Sequence, residues 1–452
     1  MSTSAADRTD TRLKRALGPG LLTLFVVGDV LGAGIYTLVG EAAGRAGGAL
    51  WLALLVALGL ALLTAASYAE LVTRYPRAGG AALFAHRAYR SETVAFLVGF
   101  SGVAAGVTSV AGLALAFGGE YLATLVALPP LPVAIVFLLV LALLNARGIS
   151  ESMRANVVMT LVEASGLVLV VVLGALLLGR GQADPAQLAQ VPEGGAGGVA
   201  AAVIAAAALA FYSFVGFETS ANMVEETKDP RRNYPRALFG GLLLAGVLYL
   251  LVGLTVTLTV PAQQLVGSTG PLLEVVRIAD VGVPAWLFAV VALIAVANTA
   301  LLTGIFSSRL TYGMAEDGLL PSVFARVLPQ RRTPWVAIVA TALLSLVLTF
   351  TGDLADLADT VVLLLLVSFF STNVAVIVLR VRDRRGGHRE GDEGERDHFR
   401  APLVLPALGA LSCILLMTQQ DGVVYLRAAL LLLLGLALYG LTRLARRRAA
   451  AS

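Results

Sequence analysis

The chain has 452 residues, of which 58% are hydrophobic and only 14% charged, and its mean hydropathy is +0.85. These proportions exclude an ordinary soluble domain, which carries far more charge. The net charge of +4 comes from arginines between apolar runs, so the basicity gives no reason to expect nucleic acid, and the single cysteine, Cys413, excludes disulfides within the chain.

The apolar runs repeatedly reach the ~20 residues needed to cross a hydrocarbon core of ~30 Å. The ~10-residue alternation of a membrane β-barrel is missing. An all-α polytopic membrane protein is therefore expected. Residues 1–19 are a polar, basic tail with no visible cleavable signal peptide, because the first apolar run is too long for an h-region. Twelve spans follow, near 20–39, 48–72, 92–118, 131–146, 156–179, 198–224, 237–260, 284–314, 334–352, 357–380, 401–418 and 423–443.

The basic residues test that count. Arg12, Lys14 and Arg15 precede the first span, and Arg74, Arg77, Arg87 and Arg90 follow the second. Arg147 and Arg154, then Lys228, Arg231, Arg232 and Arg236, then Arg326, Arg331 and Arg332 follow the fourth, sixth and eighth. The cluster from Arg380 to Arg400 and the terminal Arg443, Arg446, Arg447 and Arg448 complete the set. With twelve spans, all of these clusters fall on one side, and the positive-inside rule makes it the cytoplasm, with both termini there. A multi-pass protein of the cytoplasmic membrane is expected.

The run RVRDRRGGHREGDEGERDHFR, residues 380–400, reads as a solvated loop. His388 and His398 lack metal-ligand spacing with Cys, so no metal site or cofactor is expected. There is no Walker loop and no nucleophile motif in context, which argues against an ATP-driven pump and against an enzyme.

Two spans carry polar residues where a continuous helix would want none. VVGDVLGAGIYTLVG, residues 26–40, places Gly28, Asp29, Gly32 and Gly34 in the first. LAFYSFVGFETSANMVEE, residues 209–226, places Gly216 and Glu218 in the sixth. An offset of five spans gives the second segment the opposite orientation, and interrupted segments at matching positions point to a transporter site between inverted repeats. At Gly32, Ala33 and Gly34 a helix starts afresh, and its N-terminal amides and partial positive charge suit a carboxylate. At FYSFVG a half-helix ends, and its free carbonyls suit an ammonium. Together they suit a zwitterion, an α-amino acid.

Ionisable residues inside a span cost ~2.5–3.5 kcal/mol on insertion scales and each needs a reason. Asp29 either neutralises a cationic substrate or exchanges protons, or it pairs with a helix end or an arginine. Glu218 either carries a coupling proton or caps the new half-helix. Glu163, in the fifth span, is either a protonatable or cation-binding group, or it snorkels or pairs with Arg154 or Arg309. A carboxylic acid removed from water favours its neutral form, which is the physical basis for proton coupling. Thr299, Thr303 and Ser307 share one helical face and either line a small-cation site or bond their own backbone.

The four stretches GAGIYTLVGEAAGRAG, YAELVTRYPRAGGA (68–81), FYSFVGFETSANMVEETKDPRRNYPRA (211–237) and SSRLTYGMAEDGLLP (307–321) resemble the amino acid–polyamine–organocation permeases. The nearest likeness is to their cationic amino acid transporter branch. The resemblance implies a leucine-transporter-like fold: five-helix repeats at 20–179 and 198–380 related by inversion, the charged loop at 381–400, two further helices at 401–443 and a basic tail at 444–452. It implies substrate contacts at Gly32, Ala33, Gly34, Ser213, Phe214 and Gly216, with Phe211 or Tyr212 as an aromatic gate. Many relatives carry a lysine in the fifth span where this chain aligns Glu163, so a lysine-held mechanism does not carry over. The expected function is secondary active transport of an amino acid by alternating access, proton-coupled, with cationic substrates favoured and neutral ones open. An amine or polyamine exchanger of the same fold and a sensor that binds without transporting are the rivals.

Overall fold

The computed structural model describes residues 17–77, 79–148, 153–190, 198–385 and 398–451. Most of the basic lead-in and most of the charged loop, with His388, lie outside the described residues, as does the side chain of Arg154. The described chain is helical. Its one extended pairing is between Leu17 and Thr227, where Leu17 N donates to the Glu226 carbonyl at 3.0 Å and Lys228 N to that of Leu17 at 2.9 Å.

In chain order the helices are α1 (Pro19–Val30), α2 (Ala33–Ala46), α3 (Leu50–Arg74), α4 (Gly80–Tyr89), α5 (Glu92–Phe117), α6 (Glu120–Ala123) and α7 (Pro130–Arg147). Next come α8 (Met153–Gly179), α9 (Gly198–Ala210), α10 (Pro230–Thr259), α11 (Ala262–Leu265) and α12 (Pro271–Ala279). The last are α13 (Ala285–Glu316), α14 (Trp335–Leu348), α15 (Leu354–Arg385), α16 (Val404–Met417) and α17 (Gly422–Ala451). Among the described residues, nine helical stretches are long and apolar enough to cross a membrane; α1, α14 and α16 are apolar but shorter. The protein is a polytopic helical membrane protein.

The first expected span is two helices, parted at Leu31 and Gly32. The sixth is α9 followed by two 3₁₀ segments, Phe211–Phe214 and Phe217–Glu226. The loops also hold helices that the hydropathy pattern does not announce, α4 and α12, because each is too short to read as a span.

An aromatic cluster joins α3, α4, α15 and the sixth-span region. The Tyr68 ring lies 5.9 Å from Phe84, 5.7 Å from Phe217 and 6.0 Å from Phe369. Phe211 meets Phe369 edge-on at 6.0 Å. Beside it, α15 is held by charge. The buried carboxylate of Glu70 on α3 accepts from Arg380 Nε at 2.7 Å, from Arg380 Nη2, and from the Ala401 amide at 3.0 Å. One turn on, Arg74 grips Asp383 with two bonds of 2.9 Å. At the other end of α15, Asp359 accepts from Arg45 of α2 at 2.7 Å. Arg427 of α17 reaches back to the start of α15 and the turn before it, donating to the Thr351 carbonyl at 2.6 Å, the Asp356 carbonyl at 3.0 Å and Thr360 Oγ1 at 2.8 Å.

Removing one member of a buried ion pair costs ~3–5 kcal/mol, whereas replacing both by apolar groups is often neutral. Arg380→Ala is therefore expected to lower the melting temperature of the detergent-purified protein sharply. The double variant Glu70→Leu/Arg380→Met is expected to recover most of that loss, as read by a thermal-shift series.

Candidate functional site

Within lipid, every backbone group that leaves a helix needs another partner. At the first interruption the chain supplies several. Leu31 N donates to the Val27 carbonyl and Gly32 N to the Val30 carbonyl, both at 2.7 Å. Tyr249 on α10 donates its hydroxyl to the same Val30 carbonyl at 2.5 Å. Ala33, the first residue of α2, donates its amide to Thr299 Oγ1 on α13 at 3.1 Å, and that hydroxyl donates to the Ala295 carbonyl at 2.9 Å. Of the three predicted amides, those of Gly32 and Ala33 thus have protein acceptors. Gly34 and Ile35 follow in the first turn, where amides have no acceptor within the helix.

At the second interruption Val215 is extended and Gly216 has φ +124°, a conformation in which a side chain is strained. Gly216 N donates to Glu218 Oε2 at 2.9 Å, so Glu218 caps the second 3₁₀ segment. Thr219 N donates to the Gly216 carbonyl at 2.9 Å. The segment after the break is a ten-residue 3₁₀ helix, unusually long for that geometry, and not the resumed α-helix that the sequence suggests.

The two interruptions touch. A Cβ at Gly34 would lie 2.9 Å from the Ser213 Cα and 3.1 Å from the Tyr212 ring. A Cβ at Gly216 would run into the Asp29 carbonyl. Thr219 Oγ1 donates to the Asp29 carboxylate. The start of α2 and the first 3₁₀ segment therefore meet in one place.

The other predicted residues divide by location. Tyr212 is at this meeting point, and its hydroxyl is 2.7 Å from Ser109 Oγ on α5. Phe211 belongs to the aromatic cluster, and Phe214 stands edge-on to Tyr249 at 5.2 Å. Glu163 is fully buried, so it does not snorkel; Asn298 Nδ2 donates to its Oε1 at 2.9 Å. Tyr36 of α2 donates to the Glu163 carbonyl at 2.5 Å. Arg309 is exposed. Thr303 is one turn beyond Thr299, and its carbonyl accepts from Ser307 Oγ at 2.8 Å. Sequence reasoning passed over Asn298, Tyr249 and Ser109. Asn298 carries the one available signal, an amide beside a hydroxyl inside an apolar run.

The fold and this junction define a helical membrane protein with a polar centre built from two broken segments. The pattern of the Amino acid permease family matches residues 19–426, and the chain belongs to that family. It is a permease and not an enzyme. It is 29% identical to the branched-chain amino acid permease BcaP of Bacillus subtilis over 96% of this chain and 94% of that protein. It is 30% identical to the methylthioribose transporter of the same organism over 97% and 95%. It is also 32% identical to the vacuolar cationic amino acid transporter 2 of Arabidopsis thaliana, over 82% of this chain but only 60% of that protein.

Gly34→Ala is expected to leave expression and monodispersity near wild type while lowering amino acid uptake more than tenfold, because the methyl group separates the two interruptions. Gly216→Ala adds strain to a steric clash and is expected to lower the thermal midpoint as well, measured on the same preparations.

Proposed function

We propose that this permease is a secondary active transporter that carries an amino acid across the cytoplasmic membrane by alternating access, coupled to protons. The observation that carries this reading is the contact between the start of α2 and the first 3₁₀ segment of the sixth-span region. One zwitterion fits between the amides of one and the carbonyls of the other. In this reading α1 and α2 form one crossing, α9 with its 3₁₀ segments forms another, and the count is twelve with both termini cytoplasmic. Residues 20–179 and 198–380 then form inverted repeats, with α16 and α17 added. The Arg45–Asp359 pair supports a closure on the outer side, because it joins α2 to α15 across the end of the interrupted first span.

Glu163 is the proposed proton carrier. Its carboxylate bonds to Asn298, and the next residue, Thr299, caps α2. Loss or gain of a proton at Glu163 thus alters the partner of a residue adjacent to the cap. An amide can donate to a carboxylate or accept from a carboxylic acid, so Asn298 can serve both forms.

For the side chain of the substrate, the geometry supports a neutral group over the cationic one that the resemblance implies. Asp29, Glu163 and Glu218 each have a partner within the protein: Thr219, Asn298 and the Gly216 amide respectively. The name of the Bacillus branched-chain relative points the same way, and that of the Arabidopsis relative the other way.

Uptake of radiolabelled leucine and arginine into proteoliposomes, with and without an inward proton gradient, tests the proposal, with methylthioribose as a competitor. Leucine uptake driven by external acid is expected, and absence of uptake or exchange for every amino acid would falsify the assignment. Glu163→Gln, a permanently neutral mimic, is expected to abolish acceleration by the gradient. An unmoved pH profile makes Glu163 structural.

A further inference from the structure

The hydroxyl pair between Tyr212 and Ser109 is unlike the other hydroxyl contacts of α5. Ser101 Oγ donates to the Val98 carbonyl at 2.8 Å and Thr108 Oγ1 to that of Ala104 at 2.7 Å. Both bonds are local and common for such residues in membrane helices. Ser109 instead lies 2.7 Å from the Tyr212 hydroxyl, 103 residues away. The Tyr212 ring also borders Gly34 in the first turn of α2. Its ring thus starts at the junction of the two interruptions and its hydroxyl ends on α5. Both partners keep 9% of their surface exposed, whereas neighbouring Phe211 keeps 1% and Phe214 none. The pair is therefore less tightly enclosed than the two phenylalanine rings beside it.

We propose that Ser109 determines specificity by position: its hydroxyl holds Tyr212 across the end of the site that receives the substrate side chain. This rests on the reading of the junction as the site of the amino acid's carboxylate and ammonium. A substrate anchored there by groups common to all amino acids directs only its side chain along the Tyr212 ring toward α5. The hydrogen bond fixes how far that side chain can extend. Without it the ring loses its anchor on α5 and can yield to a longer side chain.

A hydrogen bond of this kind contributes ~0.5–1.5 kcal/mol net, and 1.4 kcal/mol is tenfold in an equilibrium constant. The test is the ratio of KM values for alanine and leucine in proteoliposomes. Ser109→Ala and Tyr212→Phe are each expected to shift that ratio toward leucine, by roughly three- to tenfold. The double variant is expected to shift it no further than either single one, since both remove one bond. Ser109→Thr restores a hydroxyl and is expected to restore the wild-type ratio. A ratio that moves by less than twofold in Ser109→Ala, or single effects that add in the double variant, overturns the proposal. If the wild-type protein takes up neither amino acid, it is the underlying site assignment that fails, and this is read before any variant is compared.

Discussion

A backbone group that leaves a helix within the hydrocarbon layer has no water to turn to, and an unsatisfied one costs several kcal/mol. This constraint governs how the two interrupted segments are built. They lie against each other, and surrounding helices supply what the junction lacks. Tyr249 takes up a carbonyl at the end of α1, Thr299 an amide at the start of α2, and Glu218 the amide of Gly216. In the proposed reading, the remaining first-turn amides of α2 receive the carboxylate of the substrate. The surrounding architecture makes these few contacts possible, since they come from α10, α13 and the sixth-span region itself.

The three carboxylates follow the same logic. Two of them, Asp29 and Glu218, bond to residues of the break in the sixth-span region. They stabilise an irregular backbone, which accounts for acids in a hydrophobic span without assigning them to a ligand. Glu163 differs. Its partner is a side-chain amide on α13, one residue before the hydroxyl that caps α2. Among the three, it is the acid whose partner lies beside the cap of α2.

Much of this was legible in the chain itself. Gly32, Gly34 and Gly216 mark the interruptions because glycine in an apolar run beside a carboxylate has no advantage in a continuous helix. The family was equally legible, because four separated motifs carry it. The rest depends on contacts between residues far apart in sequence. Thr299 meets Ala33 across 266 positions and Asn298 meets Glu163 across 135, and no local pattern records either. The choice between Phe211 and Tyr212 was equally closed to sequence, since adjacent aromatics differ only in which neighbours their directions select. The long 3₁₀ segment was missed because composition does not separate it from an α-helix of the same residues.

The reach of Arg427 from α17 to the start of α15 bears on how the chain assembles. Its guanidinium clasps two carbonyls and a hydroxyl around the turn that opens α15, yet it belongs to α17, 76 positions beyond Thr351. A ribosome delivers α17 after α15. Until it arrives, the Thr351 carbonyl lacks the Arg427 donor, while the Asp356 carbonyl already accepts from the Thr360 hydroxyl. α17 thus adds a late clasp to the opening turn of a helix that Arg45 and Glu70 already hold from earlier in the chain.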